Sequence, residues 1–292
     1  MLAISREISD LIDKALYEDR AYEDATTSAL ISPDLHGEAT ITSKDTGILA
    51  GITIAQAVFN HIDPTLWIQV LLADGTRIKH GEPTLKIRGA LTSILAAERT
   101  ALNFLQHMSG IATETDRYVR AIEGLASKVV DTRKTIPGFR QLDKYAVRTG
   151  GGHNHRLDLA SGILIKDNHI AALVAQGMSI ADVLSKAREK APHTLKIEVE
   201  VETVAQARNA LEANADLLLL DNMTIVEMRQ VVMMAQGNAI IEASGGITLE
   251  SIREVAKTGV TLISIGALTH SAHSLDMSLA MNTIPHPPPS KQ

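Results

Sequence analysis

At 292 residues, with 45% apolar and 21% charged side chains, the chain is long and apolar enough to bury a large core, which excludes a disordered or fibrous protein. Its 34 acidic residues outnumber 28 basic ones for a formal charge of -6, against a general nucleic-acid or membrane-surface binder, because phosphate contacts need a surplus of Lys and Arg. It has no cysteine, so disulfides, thiolate metal sites and a cysteine nucleophile are excluded, and a reducing, cytoplasmic setting is expected.

Residues 1–20 mix acids with apolar residues, the pattern of neither a signal peptide nor a membrane span. Ile4, Ile8, Leu11, Ile12, Ala15 and Leu16 recur at helical spacing and predict a helix with one buried face over residues 5–17, followed by an acidic loop at 18–24. Short β-like runs at 39–43, 66–73 and 83–87, broken by Asp74-Gly75 and His80-Gly81, complete a small α+β unit. Residues 91–122 are rich in Ala and Leu and predict a helix leading into a second domain. The boundary is set near Ser109-Gly110, which gives an amino-terminal domain of 1–109 joined by the segment 270–292, and a second domain of 110–269.

Beyond that point, apolar runs at 128–130, 163–165, 195–201, 217–220, 239–241 and 262–265 alternate with helical stretches at 180–190, 204–212 and 225–235. These are βα units, and the runs are too apolar for one-sided strands, so a parallel sheet buried on both faces is expected. Asp131, Lys166, Asp221, Glu242 and Gly266 end their runs, with Glu200 late in its own. In a barrel these groups would share the carboxyl rim where active sites are built; an open doubly wound sheet fits less well. The tail at 285–292, with three successive prolines, is expected to be mobile.

The densest chemistry is the basic stretch at 131–140 with Arg133, Lys134 and Arg140, continued by Lys144, Arg148, three glycines at 150–152 and His153-Asn154-His155-Arg156. Arg offers a planar fork to a carboxylate or phosphate and Lys a mobile point charge, while adjacent glycines let backbone approach a ligand, so the stretch predicts a pocket for a multiply charged anion. His153 and His155 lack a third nitrogen or sulfur ligand, a weak zinc signal. Lys166 suits either a Schiff-base nucleophile or an anion contact.

Glu198, Glu200 and Glu202 alternate and so share one face of their strand, the interior face in a barrel. With Asp221, Glu200 suits a hydrated Mg²⁺ that takes a few carboxylates plus substrate phosphate oxygens, or a cationic transition state. Ser244-Gly245-Gly246 and Gly266 follow the last two runs and precede helix-like stretches, where barrels hold phosphate. No GxxxxGK[ST] or GxGxxG motif is present.

At these residues the chain resembles the quinolinate phosphoribosyltransferase family. The match runs in order through Glu98-Arg99-Thr100-Ala101-Leu102-Asn103, Ser109-Gly110-Ile111-Ala112-Thr113, residues 131–138, Lys144-Tyr145-Ala146-Val147-Arg148, residues 150–156, residues 164–169, residues 198–202, Leu220-Asp221-Asn222, Ser244-Gly245-Gly246 and residues 266–270. The resemblance implies an α/β fold, an incomplete TIM-like α/β barrel with a smaller amino-terminal α/β sandwich. It also implies a homodimer in which the small domain of one subunit covers the barrel mouth of the other.

The resemblance further implies that Arg133, His155, Arg156 and Lys166 hold the two carboxylates of quinolinate, with Arg99 supplied by the partner subunit. Lys134, Glu200, Asp221, Ser244, Gly245 and Gly266 would serve phosphoribosyl pyrophosphate and its Mg²⁺, with Lys134, Lys166, Glu200 and Asp221 carrying catalysis. Asp158 stands where the family usually has Gly, which would weaken the anion pocket or pair with an arginine, and residues 20–23 replace a more usual glycine-containing loop. A ModD-type relative and a Schiff-base aldolase using Lys134 or Lys166 are the rival expectations.

Overall fold

In the structure, a computed structural model that describes residues 2–282, the Ser5 hydroxyl accepts the Ile8 N–H and caps the helix Arg6–Glu18, whose Ile8, Ile12 and Leu16 are buried. Full burial of one such side chain stabilises by about 1.5–3 kcal/mol, which fixes the helix by its apolar stripe. The acidic loop becomes a short 3-10 turn, and Asp24 at its end caps the helix Ala25–Leu30 through the N–H groups of Thr26 and Thr27. The expected tail at 285–292 lies outside the described residues.

Contacts divide the chain into two units. The first comprises the chain up to Glu114, Gln141–Gly150, and the chain from Ala272. Its four-stranded antiparallel sheet has the order Met277–Asn282, His36–Ser43, Pro83–Ala90, Trp67–Val70. His36–Ser43 alternates buried and less buried residues, as a sheet with one covered face requires. The helix Ile52–Ile62 buries Ile54, Ala55, Val58 and Phe59 in the same unit.

The helix Leu91–Ala121 is continuous over 31 residues, and Ser109-Gly110 lies inside it. The glycine is there for a close approach, since a Cβ on Gly110 would stand 2.1 Å from the carbonyl oxygen of His273. Beside it, the Ser109 hydroxyl donates to the Ala50 carbonyl and accepts the Ala50 N–H.

The second unit comprises Thr115–Arg140 and Gly151–Ser271. Six parallel strands stand in the order Lys128–Val130, Leu262–Ser264, Ile240–Ser244, Leu217–Asp221, Ile197–Val201, Ile163–Ile165. This is an incomplete TIM-like barrel: no strand pairing joins the two ends of the row among the described residues, and His153 adds an isolated parallel bridge beside Val130. The helices Ile180–Lys190, Val204–Glu212 and Ile225–Ala235 follow their strands, each opened by a capping box on Ser179, Thr203 or Thr224.

One rim expectation is corrected. The strand Ile240–Ser244 runs to Ser244, so Glu242 lies mid-strand and fully buried. Asp131 is also fully buried, and its oxygens accept the His155 N–H at 2.8 Å and the Asn154 amide at 2.5 Å, so it builds the chain around the site.

Candidate active site

The loop after Lys128–Val130 carries Arg133 and Lys134, and Asp131 ties the segment from His153 to Arg156 beside it. Buried Arg133 Nε has no hydrogen-bond partner. Burial and then the neighbouring Arg133 charge lower the Arg156 pKa, with Glu198 opposing. Among the described residues no carboxylate forms an ion pair with either guanidinium; Arg156 donates instead to the Gly162 carbonyl at 3.1 Å. Two like charges with an unused buried donor are costly unless an anion joins them. Arg140 and Lys144 do not complete this pair: Arg140 bonds the Thr135 hydroxyl, and Lys144 is buried on the helix Arg140–Thr149, whose residues from Gln141 group with the first unit.

Lys166 follows Ile163–Ile165 and caps the helix Asp167–Val174, its N–H donating to His169 Nδ1. Its ammonium donates to Glu200 Oε2 at 3.0 Å. A Schiff-base nucleophile must instead offer a free amine, so this pair disfavours the aldolase expectation. Glu198 and Glu200 both turn inward, whereas Glu202 lies beyond the strand and is exposed. Glu200 pairs in register with Leu219, and Asp221 lies two residues further on that strand, so the two carboxylates share a face on adjacent strands.

Asp221 accepts from the Asn222 amide at 3.0 Å, and the Asn222 N–H donates to the Ser244 carbonyl at 3.0 Å. Gly245 has φ 95°, and a Cβ there would fall 2.2 Å from Asn222 Oδ1, so only glycine lets these two strand ends close up. On the other side, Gly266 leaves room for Lys134, whose Cδ would lie 3.1 Å from an added Cβ, and the Thr269 hydroxyl donates to the Lys134 carbonyl at 2.8 Å. The helices beyond are short: Ala267–His270 starts directly after Gly266, but Ile252–Ala256 starts only six residues after Gly246. Phosphate contacts in this region would therefore rest on loop N–H groups more than on a helix dipole.

Below Arg156, the neutral tautomer of His155 follows from its contacts. Its Nδ1 accepts the Arg156 N–H at 2.8 Å, so the ring proton sits on Nε2, 3.2 Å from Glu198 Oε2 and 3.5 Å from Glu242 Oε2. A cavity of about 450 Å³ reaches this cluster from the amino-terminal strand ends at Lys128, Leu217 and Leu262. Sequence reasoning had both acids but not their meeting, because that depends on register across three strands; an acid inside the apolar run at 239–243 was the available signal.

The family description "Quinolinate phosphoribosyl transferase, C-terminal domain" matches residues 111–280, and its N-terminal counterpart matches residues 24–109. The chain belongs to the quinolinate phosphoribosyltransferase family. Within this family it is 44% identical over 261 residues to a probable nicotinate-nucleotide pyrophosphorylase (carboxylating) of Bacillus subtilis, covering 88% of this chain and 89% of the relative. It is 41% identical to the corresponding Mycobacterium leprae protein, over 92% of this chain and 95% of that one. The crystal structure of NadC from Streptococcus pyogenes matches with a TM-score of 0.92 at 40% identity, covering 97% of this chain and 99% of that chain.

Two family positions remain to be placed. Arg99 is exposed on Leu91–Ala121 in the first unit. Asp158, the departure from the family pattern, accepts from the Ser161 hydroxyl and the Ala160 N–H and so shapes its own loop; no ion pair to Arg133 or Arg156 forms among the described residues.

Proposed function

We propose that the chain transfers the phosphoribosyl group of phosphoribosyl pyrophosphate to quinolinate with loss of CO₂, giving nicotinate mononucleotide and pyrophosphate for NAD biosynthesis. The observation that carries this is the Arg133–Arg156 pair, two neighbouring guanidinium groups with a buried unpartnered Nε and no ion pair to a carboxylate among the described residues. A pyridine dicarboxylate supplies two negative charges in one plane, and Arg forks bind carboxylates in that plane. Lys166 and His155 complete this clamp, and Arg99 of a second copy closes it in a cytoplasmic homodimer.

The pyridine nitrogen attacks the anomeric carbon as pyrophosphate departs, and positive charge grows on the ribose. Glu200 and Asp221 stabilise that charge from their shared face. Their two hard carboxylates also fit Mg²⁺, which supplies charge neutralisation for the phosphate groups. Lys134 and the loops at Ser244, Gly245 and Gly266 hold those groups. Once the ring nitrogen is quaternary, the neighbouring carboxylate leaves as CO₂, and the carbanion, stabilised by the adjacent positive nitrogen, takes up a proton from solvent to give the product.

The test is formation of nicotinate mononucleotide from quinolinate, phosphoribosyl pyrophosphate and Mg²⁺, with nicotinate assayed in parallel. Product from quinolinate supports the reading; product from neither acid, or labelling by borohydride with a carbonyl substrate, overturns it.

A further inference from the structure

Glu242 has no role in the reaction as described so far, yet it is fully buried at the inner end of the cavity, and neither of its oxygens has a hydrogen-bond partner. Glu198 Oε1 is likewise unpartnered. Both acids face one nitrogen, His155 Nε2. Three such donor atoms within 4.8 Å would also suit a metal ion. The far side of the ring argues against that: a metal-bound imidazole donates from its other nitrogen, whereas His155 Nδ1 accepts the Arg156 N–H. Nor do two ionised carboxylates sit easily around a single N–H, because each raises the cost of charging the other.

We propose that Glu242 is a positioning residue for the substrate clamp: buried beside Glu198 it keeps its proton and, with Glu198, faces the Nε2–H of His155, which in turn fixes the main chain of Arg156. The proposal rests on the dicarboxylate reading of Arg133 and Arg156. The proton also matters for charge. With Glu242 neutral, the buried acids beneath the two guanidinium groups, Glu198 and Asp131 among them, carry one negative charge fewer when a dianion enters.

The groups facing Glu242 are Glu198 from one strand, His155 and Asp131 from the chain beside Val130, Ser264 from the next strand, and the apolar Leu219 from the strand between. Burial, then the neighbouring Glu198 charge, pushes the Glu242 pKa up to about 7. Below that value the proton is in place. As pH rises through it, a further negative charge appears under the clamp and quinolinate binding weakens.

The experiment measures KM for quinolinate in the full-length protein at saturating phosphoribosyl pyrophosphate and Mg²⁺, from about pH 6 to about pH 8.5, beside the infrared spectrum of buried carboxyl groups. Wild type should show a KM that rises on the order of fivefold or more while kcat moves less, within the tenfold per pH step that one proton allows. Glu242→Gln, which can donate to Glu198 as the acid does, should remove the rise and bind quinolinate more tightly than wild type at the alkaline end. Glu242→Leu, apolar and of similar volume, should raise KM across the range.

A pH-dependent KM retained in Glu242→Gln, or identical KM values for the Gln and Leu variants, overturns the proposal. So does the absence from wild type at pH 6 of a protonated-carboxyl band that Glu242→Gln removes, a result that needs no variant to be active. Zn²⁺ binding by wild type that Glu242→Gln abolishes would make the cluster a metal centre instead. Should wild type not turn over quinolinate at all, the function reading fails while the infrared band still reports the buried proton of Glu242.

Discussion

Lys166 and Glu200 meet at 3.0 Å, and their pair joins a group assigned to the pyridine acid to one assigned to ribose and metal. Glu200→Gln and Asp221→Asn should lower kcat by roughly a hundredfold or more with a small change in quinolinate KM, because the lost interaction belongs to the transition state. Steady-state kinetics decide it; lost quinolinate affinity with kcat intact would reassign both residues. Nicotinate lacks the carboxylate beside the ring nitrogen and leaves part of the clamp desolvated and unpaired. Its kcat/KM should therefore fall about a thousandfold below that of quinolinate, at about 1.4 kcal/mol per factor of ten. A ratio near one would mean that the cations do not act together. Stability carries its own signature at Glu242, where the pKa is raised in the folded chain to about 7. Such a group's contribution is fully present below the unfolded value, near 4.5, and is lost as pH rises through about 7. Glu242→Gln should thus gain on wild type between pH 5 and pH 8.5, by up to roughly 3 kcal/mol. Parallel thermal melts at the two pH values would show it, and a gain confined to acid pH would contradict it.

Elements with a clean period were legible in the sequence. The strands Lys128–Val130 and Ile163–Ile165 and the helices Ile180–Lys190, Val204–Glu212 and Ile225–Ala235 stand where alternation of apolar runs and helical stripes put them. The helix Ile52–Ile62 was not, since six of its residues are buried, most of them consecutive or nearly so, and its 3.6-residue stripe is blurred. Arg140–Thr149 hid inside a basic stretch because two of its buried residues, Asp143 and Lys144, are charged; His107 Nε2 meets Asp143 at 2.8 Å. Of the site, the polar residues at strand ends could be read locally, but the His155 cluster needed three-dimensional register. Gly110 has a use that no local pattern gives, a close contact with the His273 carbonyl. Gly110→Ala should cost roughly 1–3 kcal/mol or more from overpacking against the His273 carbonyl. Gly245→Ala combines a left-handed φ with a clash on Asn222 and should cost turnover as well as stability. Denaturant unfolding and a turnover assay test both, and wild-type stability in Gly110→Ala would show that the helix can shift away.

For the whole molecule, the site as proposed is complete only when a second copy supplies Arg99. Arg99→Ala and Lys134→Ala homodimers should each be inactive, and mixing them under subunit exchange should restore one intact site per mixed dimer. Exchange proven without recovered activity would place Arg99 in its own subunit's chemistry.

The sheet of the first unit pairs Met277–Asn282 with His36–Ser43, so segments more than two hundred residues apart hydrogen-bond side by side. A ribosome releases residue 36 long before residue 282, and the entire barrel sequence emerges in between. Until then His36–Ser43 carries an unpaired edge, a template for pairing with the wrong chain. The sheet that holds His36–Ser43 is therefore finished only after the barrel, and a message truncated shortly after Ser271 would yield a chain holding every barrel strand yet prone to aggregate through that open edge.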